Sequence, residues 1–226
     1  MNHSPKSIRY RPTVLWTTAL AVLLIAFFFR FYRVADYPLG IFFDPAMKIH
    51  DLDFKKFITE ETIRNKVAEL ATVIGEDYKG KTPVFLPILN GSFMFASDLI
   101  KEIKIPCRVS FVKISSYQGV KSTGQLKTLI GHEESLFNQD LIIVEDIVDT
   151  GQTLEKIIEE LRSLGTKSVE VVSLIRKKPS REKGVDVKYV GFDIDLEFVL
   201  GYGLDYDGLG RNLRDIYKSK QSMVTE

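Results

Sequence analysis

The segment Leu141-Ile142-Ile143-Val144-Glu145-Asp146-Ile147-Val148-Asp149-Thr150-Gly151-Gln152-Thr153 carries the densest set of chemically useful side chains in this sequence. An apolar run of strand type, Leu141 to Val144, leads into two adjacent carboxylates, Glu145 and Asp146. A short turn follows, and Asp149, Thr150, Gly151, Gln152 and Thr153 stand where a helix begins. A helix start offers free backbone N–H groups and the positive end of the helix dipole, which suits a phosphate. Gly151 allows close approach to the backbone, and Thr150 and Thr153 add hydroxyl donors. No Gly-Lys-Ser/Thr occurs here, so the loop is not a Walker A loop. Carboxylates beside an anion site make sense if they accept hydrogen bonds from ribose hydroxyls and face a divalent metal that neutralises the phosphates.

Four further segments hold polar groups at the ends of predicted elements. Leu89-Asn90-Gly91-Ser92 follows an apolar strand and reads as a strand-to-helix turn. Ser115-Ser116-Tyr117, with Ser122-Thr123-Gly124, is polar and weakly propensive, the composition of a lid or of a solvated hairpin tip. Arg176-Lys177-Lys178-Pro179 ends a strand in a basic turn. Phe198-Val199-Leu200-Gly201-Tyr202-Gly203-Leu204-Asp205-Tyr206, with Arg211 after it, combines an aromatic ring, a carboxylate and a guanidinium.

In this order, and across nearly all of residues 47–226, these segments resemble the type I phosphoribosyltransferases. The Glu-Asp-Ile-Val-Asp-Thr-Gly-x-Thr string is similar to their hypoxanthine(-guanine) branch. The resemblance implies purine salvage: magnesium-dependent transfer of a 5-phosphoribosyl group from phosphoribosyl pyrophosphate to N9 of a 6-oxopurine, giving inosine or guanosine monophosphate. It implies that Glu145, Asp146, Thr150, Gly151, Gln152 and Thr153 hold the ribose and its 5-phosphate. Leu89, Asn90, Gly91 and Arg211 would take pyrophosphate. Many members carry Lys where this chain has Asn90, and their loop acts mainly through backbone N–H groups, often around a non-proline cis peptide. Asp149 would hold or shuttle the N7 proton of the base. Glu145, Asp146 and Asp205 would serve Mg2+. Phe198 would stack on the purine while the Val199 backbone reads its edge. Ser116 and Tyr117 would belong to a mobile loop closing over an oxocarbenium-like transition state that bulk water would intercept.

One lysine of the basic turn would donate to the purine O6. Counting back from Phe198 without gaps selects Lys177, whereas adjacency to Pro179 selects Lys178. Choice among hypoxanthine, guanine and xanthine is not encoded in side chains, because the discriminating contacts are backbone and water. A non-catalytic sensor of phosphoribosyl pyrophosphate is the alternative. The joint presence of Asp149, a lysine at 177 or 178, Phe198 and Asp205 favours the enzyme, since a sensor has no use for a base-reading set.

The elements that must position these residues alternate between helical and strand periods. Ile63, Val67, Leu70 and Ile74 line one face of a helix capped by Thr59. Val84 to Leu89 reads as a strand, Phe93 to Ile103 as a helix, Val109 to Ile114 as a strand and Leu141 to Val144 as a short buried strand. Leu154, Ile157, Ile158, Leu161 and Leu164 form a helical stripe ended by Gly165 at C′. Val169 to Ile175 and Val187 to Phe192 are further strands. Strands separated by helices imply a parallel sheet covered on both faces, with ligands beyond the carboxyl ends of the strands. The fold expected is therefore α/β. The resemblance specifies the type I phosphoribosyltransferase fold: a central, mostly parallel sheet flanked by helices, with a small hood subdomain.

Composition sets the outer bounds. The chain has 226 residues, 45% hydrophobic and 27% charged, with a formal net charge of +1. No basic field exists to attract nucleic acid, and the single Cys107 excludes a disulfide framework and a cysteine zinc site. The charge is uneven, however. Residues 1–46 carry +3 and residues 47–226 carry −2. Residues 12–29 are uncharged, and a hydrophobic helix is expected over about 13–31, roughly long enough for a thin hydrocarbon core. No small-residue cleavage motif follows it. Three readings stay open for this segment: a single-span anchor, a buried helix, or the remnant of another membrane protein. Arg30-Phe31-Tyr32-Arg33 and Asp36 to Asp44 resemble the start of polytopic membrane glycosyltransferases. The expected organisation is thus an extension, 1–46, and a catalytic domain, 47–226. The domain would be cytoplasmic, tethered to a membrane only through residues 1–46 if these are expressed. The resemblance also implies a homodimer or homotetramer.

Overall fold

The computed structural model describes residues 47–113, 135–178 and 186–221, all within a unit that starts at Pro45. The hydrophobic segment 13–31 and the loop residues Ser116 and Tyr117 lie outside them. No helix among the described residues is long and apolar enough to cross a membrane.

A parallel sheet forms the centre. Its strands are β3 (Val84–Leu89), β4 (Arg108–Val109), β5 (Val112–Lys113), β6 (Asp140–Val148), β7 (Ser168–Lys177) and β8 (Tyr189–Ile194), in the order β4-β3-β6-β7-β8 with β5 also on β3. Its neighbouring strands pair in parallel. Helices α1 (Glu60–Asp77) and α2 (Phe93–Glu102) share one core with Phe85, Ile142 and Val144. Helix α3 (Gln152–Ser163) shares the other with Leu86, Leu141 and Ile143. Strand side chains alternate between faces, so β6 feeds both cores. A second, antiparallel sheet combines β1 (Met47–Ile49), β2 (Leu52–Ile58), β9 (Val199–Leu200) and β10 (Ile216–Ser219) in the order β1-β2-β10-β9.

Local signals account for much of this. Thr59 caps α1 by accepting from the Thr62 N–H, and Ile63, Val67, Leu70 and Ile74 are all buried. Such a cap contributes about 1 kcal/mol. Gly165 follows the Leu164 C-cap of α3 with φ +73, and Leu154, Ile157 and Leu161 are buried. Leu164 is a correction: it is 46% exposed, because the helix stops at Ser163 before the apolar stripe reaches it.

Three strands differ from expectation, and β8 is one of them: it runs from Tyr189 to Ile194, two residues later than the Val187 to Phe192 expected. Val109 to Ile114 is not continuous, since β4 and β5 are separate pieces in the same register on β3. The Phe85 carbonyl accepts from Ser110 N–H, so by alternation Pro87 faces the same neighbour and has no N–H to return. The strand predicted as Leu141 to Val144 runs on to Val148, because β7 pairs with it through Arg176. On the β3 side the pairing ends at Val144. Glu145 and Asp146 therefore lie within a strand that has lost one of its neighbours, which opens a gap at the carboxyl end of the sheet.

Candidate active site

The gap is filled by the turn after β3. Gly91 packs so closely on Asp146 that a β-carbon there would overlap the carboxylate. The Leu89–Asn90 peptide just before it is cis. Ser92 is buried, and its hydroxyl donates to the Ile88 carbonyl at 2.7 Å, pinning the start of α2. Asp146 is held above the usual carboxylate range, at about 6. Burial is the main cause and Asp205 adds to it, against backbone N–H donors and the charge of Arg211. Burial and the neighbouring Asp146 push Glu145 upward as well.

Glu145 and Asp146 do not share one face. As consecutive strand residues they project oppositely. Asp146 follows Ile142 and Val144 toward the α1/α2 side, where Gly91 lies, while Glu145 follows Leu141 and Ile143 toward α3. There Glu145 lines a cavity of about 220 Å3 with Val148, Asp149, Thr150, Gly151 and Thr153. The α3 start is left open: the N-cap is Gly151, at φ +80, and no side chain caps the first turn. Asp149 is not the cap. Its Oδ2 instead accepts from Lys177 Nζ at 2.9 Å, with Lys177 at the last position of β7 and its side chain largely buried.

This lysine–carboxylate pair, the uncapped helix start and the Gly91 turn all lie at the carboxyl ends of β3, β6 and β7. The family model described as "Phosphoribosyl transferase domain" matches residues 58–207. The chain belongs to the phosphoribosyltransferase family. This phosphoribosyltransferase is 45% identical over 157 residues to a hypoxanthine-guanine phosphoribosyltransferase of Staphylococcus aureus (strain Mu50), a match covering 69% of this chain and 88% of that relative. The crystal structure of a hypoxanthine phosphoribosyltransferase from Staphylococcus aureus superposes with a TM-score of 0.69 at 38% identity, covering 84% of this chain and all of that one. A hypoxanthine-guanine phosphoribosyltransferase from Bacillus anthracis gives a TM-score of 0.66 at 36% identity, covering 76% and 99%.

The remaining predicted residues of the phosphoribosyltransferase lie mostly between 198 and 211. Arg211 Nη2 pairs with Asp205 Oδ1 at 2.6 Å, and both act on the charge of Asp146. Asp205 Oδ2 also accepts from the Gly208 N–H at 2.9 Å. Phe198 immediately precedes β9, half-buried against Tyr206 (centroids 5.4 Å, edge to face) and Phe54 (6.1 Å). Its carbonyl accepts from Ser219 N–H, so Val199 turns its own N–H and C=O to the open edge of β9. Lys178 is exposed, and Gln152 is the exposed first residue of α3.

Gly203 was not foreseen as a site residue. Its backbone sits at φ +102 and meets the Gly91 carbonyl so closely that a β-carbon would overlap the oxygen. Only the Gly201-x-Gly203 spacing hinted at a backbone approach. The outcome is a stack of Asp146, Gly91 and Gly203 that brings residues far apart in sequence to one place.

Proposed function

We propose that this phosphoribosyltransferase makes inosine or guanosine monophosphate from phosphoribosyl pyrophosphate and a 6-oxopurine. The observation that carries this reading is the Asp149–Lys177 pair beside the uncapped start of α3. An open helix start suits the 5-phosphate, and a carboxylate next to an ammonium suits a base with an N7 proton and an O6 acceptor.

The residues then divide the work. Thr150, Gly151, Gln152 and Thr153 receive the 5-phosphate, and Glu145 and Asp146 accept from the ribose hydroxyls. Leu89, Asn90 and Gly91, with Arg211, receive the pyrophosphate. Phe198 stacks on the purine and the Val199 backbone reads its edge. Lys177 donates to O6 in this reading, and its contact with Asp149 supports 177 over 178. As the C1–oxygen bond to pyrophosphate breaks and the N9–C1 bond forms, Asp149 takes the N7 proton. Ser116 and Tyr117 belong to the loop that excludes water. Positioning and charge stabilisation provide most of the acceleration.

Glu145, Asp146 and Asp205 are hard oxygen donors that fit Mg2+. No cluster of three metal-binding side chains stands among the described residues, so most ligands would come from phosphate, ribose and water. When bound, the ion neutralises charge on the pyrophosphate.

Residues 47–226 form the catalytic domain in this reading and 1–46 an extension, with the enzyme cytoplasmic. A homodimer or homotetramer agrees with exposed Val109 and Phe111 at the sheet edge, and sedimentation would test it. The direct test supplies hypoxanthine, phosphoribosyl pyrophosphate and Mg2+ and follows nucleotide formation. No turnover with hypoxanthine, guanine or xanthine rejects the reading.

A further inference from the structure

Tyr202 is buried, and its hydroxyl donates to Asp98 Oδ2 at 2.6 Å. Asp98 belongs to α2, the helix that starts two residues after Gly91. The Tyr202 backbone lies at φ +51, in the left-handed region that non-glycine residues rarely enter. The residue after it is Gly203, which abuts the Gly91 carbonyl. The loop from 201 to 213 is thus joined to the turn and helix after β3 at two places, one through backbone and one through the tyrosine.

The same loop carries Asp205 and Arg211. Arg211 Nη1 donates to the Gly203 carbonyl at 2.6 Å, and its own carbonyl accepts from Gly203 N–H at 2.9 Å. The position of Arg211 therefore follows that of Gly203. A single backbone contact leaves the loop free to pivot about it, and a second tether more than a helical turn away along α2 removes that freedom. We propose that Tyr202 and Asp98 are positioning residues for the leaving pyrophosphate: their hydrogen bond sets Arg211 and Asp205 against the Asn90–Gly91 turn. The proposal rests on reading that turn and Arg211 as the pyrophosphate subsite.

Calorimetry with magnesium pyrophosphate, together with KM for both substrates, tests it on the full chain. Tyr202→Phe and Asp98→Ala should weaken pyrophosphate binding and raise KM for phosphoribosyl pyrophosphate about tenfold, the scale of one hydrogen bond. KM for hypoxanthine should stay within about twofold, since Phe198 and Lys177 are untouched. Asp98→Asn keeps an acceptor for the phenol and should restore binding. Lys101→Met, which removes only the exposed Lys101–Asp98 ion pair, should match the wild type. Unchanged pyrophosphate affinity in Tyr202→Phe overturns the proposal. So does an equal rise in both KM values accompanied by a lower Tm, the signature of a purely structural role. Failure of the wild type itself to bind magnesium pyrophosphate rejects the subsite, and the proposal falls with it.

Discussion

Gly91 and Asp146 touch with no room for a single added carbon between them. The contact ties the turn after β3 to the carboxylate on β6. The turn can come no closer to β6, and in the proposed reading this contact sets the spacing of the ribose and pyrophosphate subsites. Gly91→Ala should leave the protein folded, because the turn can move outward, but at the wrong distance. KM for phosphoribosyl pyrophosphate should rise by up to about 100-fold, the scale of a 1 Å misplacement, with KM for the base little changed. Steady-state kinetics with each substrate varied checks this.

The 2.9 Å Asp149–Lys177 pair predicts two separable defects. Asp149→Asn should cut kcat by about 100-fold or more, the range for loss of a general base, with phosphoribosyl pyrophosphate still binding. Lys177→Ala should raise KM for hypoxanthine roughly tenfold or more, as expected for a lost charged hydrogen bond. Lys178→Ala should do neither. A larger effect at 178 than at 177 would reverse the assignment.

Phe198 is held on edge by Tyr206 and flanked by Phe54, so its ring orientation is preset, as the proposed purine stacking requires. Phe198→Ala should raise KM for the base by roughly tenfold, since stacking contributes about 1–3 kcal/mol. KM for phosphoribosyl pyrophosphate should not follow it. Equal effects on both substrates would place the ring in the core and not at the base.

Asp215, just before β10, links that strand to α1. Its side chain accepts from Glu60 N–H at 2.7 Å and pairs with Lys56 at 2.5 Å. Burial pushes its carboxyl up, but Lys56 and the Glu60 N–H outweigh this and hold it below its ordinary value. A lowered folded value stabilises above the unfolded one and is lost as pH falls through the folded one. Asp215→Asn should therefore cost about 1 kcal/mol near pH 7. The gap in Tm from the wild type should narrow as pH falls below the ordinary carboxylate range, about 4. A gap that persists in acid would show that the ion pair is not its origin.

The α/β class, the start of α1 at Thr59, the stop of α3 at Gly165 and the strand-to-helix segment from Glu145 to Thr153 were legible from residue order alone. Thr59, Gly151 and Gly165 act on backbone groups a few positions away, and apolar periodicity records which face of an element is buried. Such effects are decided by near neighbours along the chain. The opposite faces of Glu145 and Asp146 could have been foreseen from strand alternation, had the strand been extended past Val144. Its true end depends on β7 continuing beside it while β3 does not. That Lys177 and not Lys178 is the lysine contacting Asp149 needed the side chain's direction at the end of β7, which adjacent lysines do not encode. The approach of Gly203 to Gly91 and the Tyr202–Asp98 hydrogen bond join residues about a hundred positions apart. Residue types name the chemistry available to this protein. The distances at which it operates come from close packing between separate elements, which no local pattern carries.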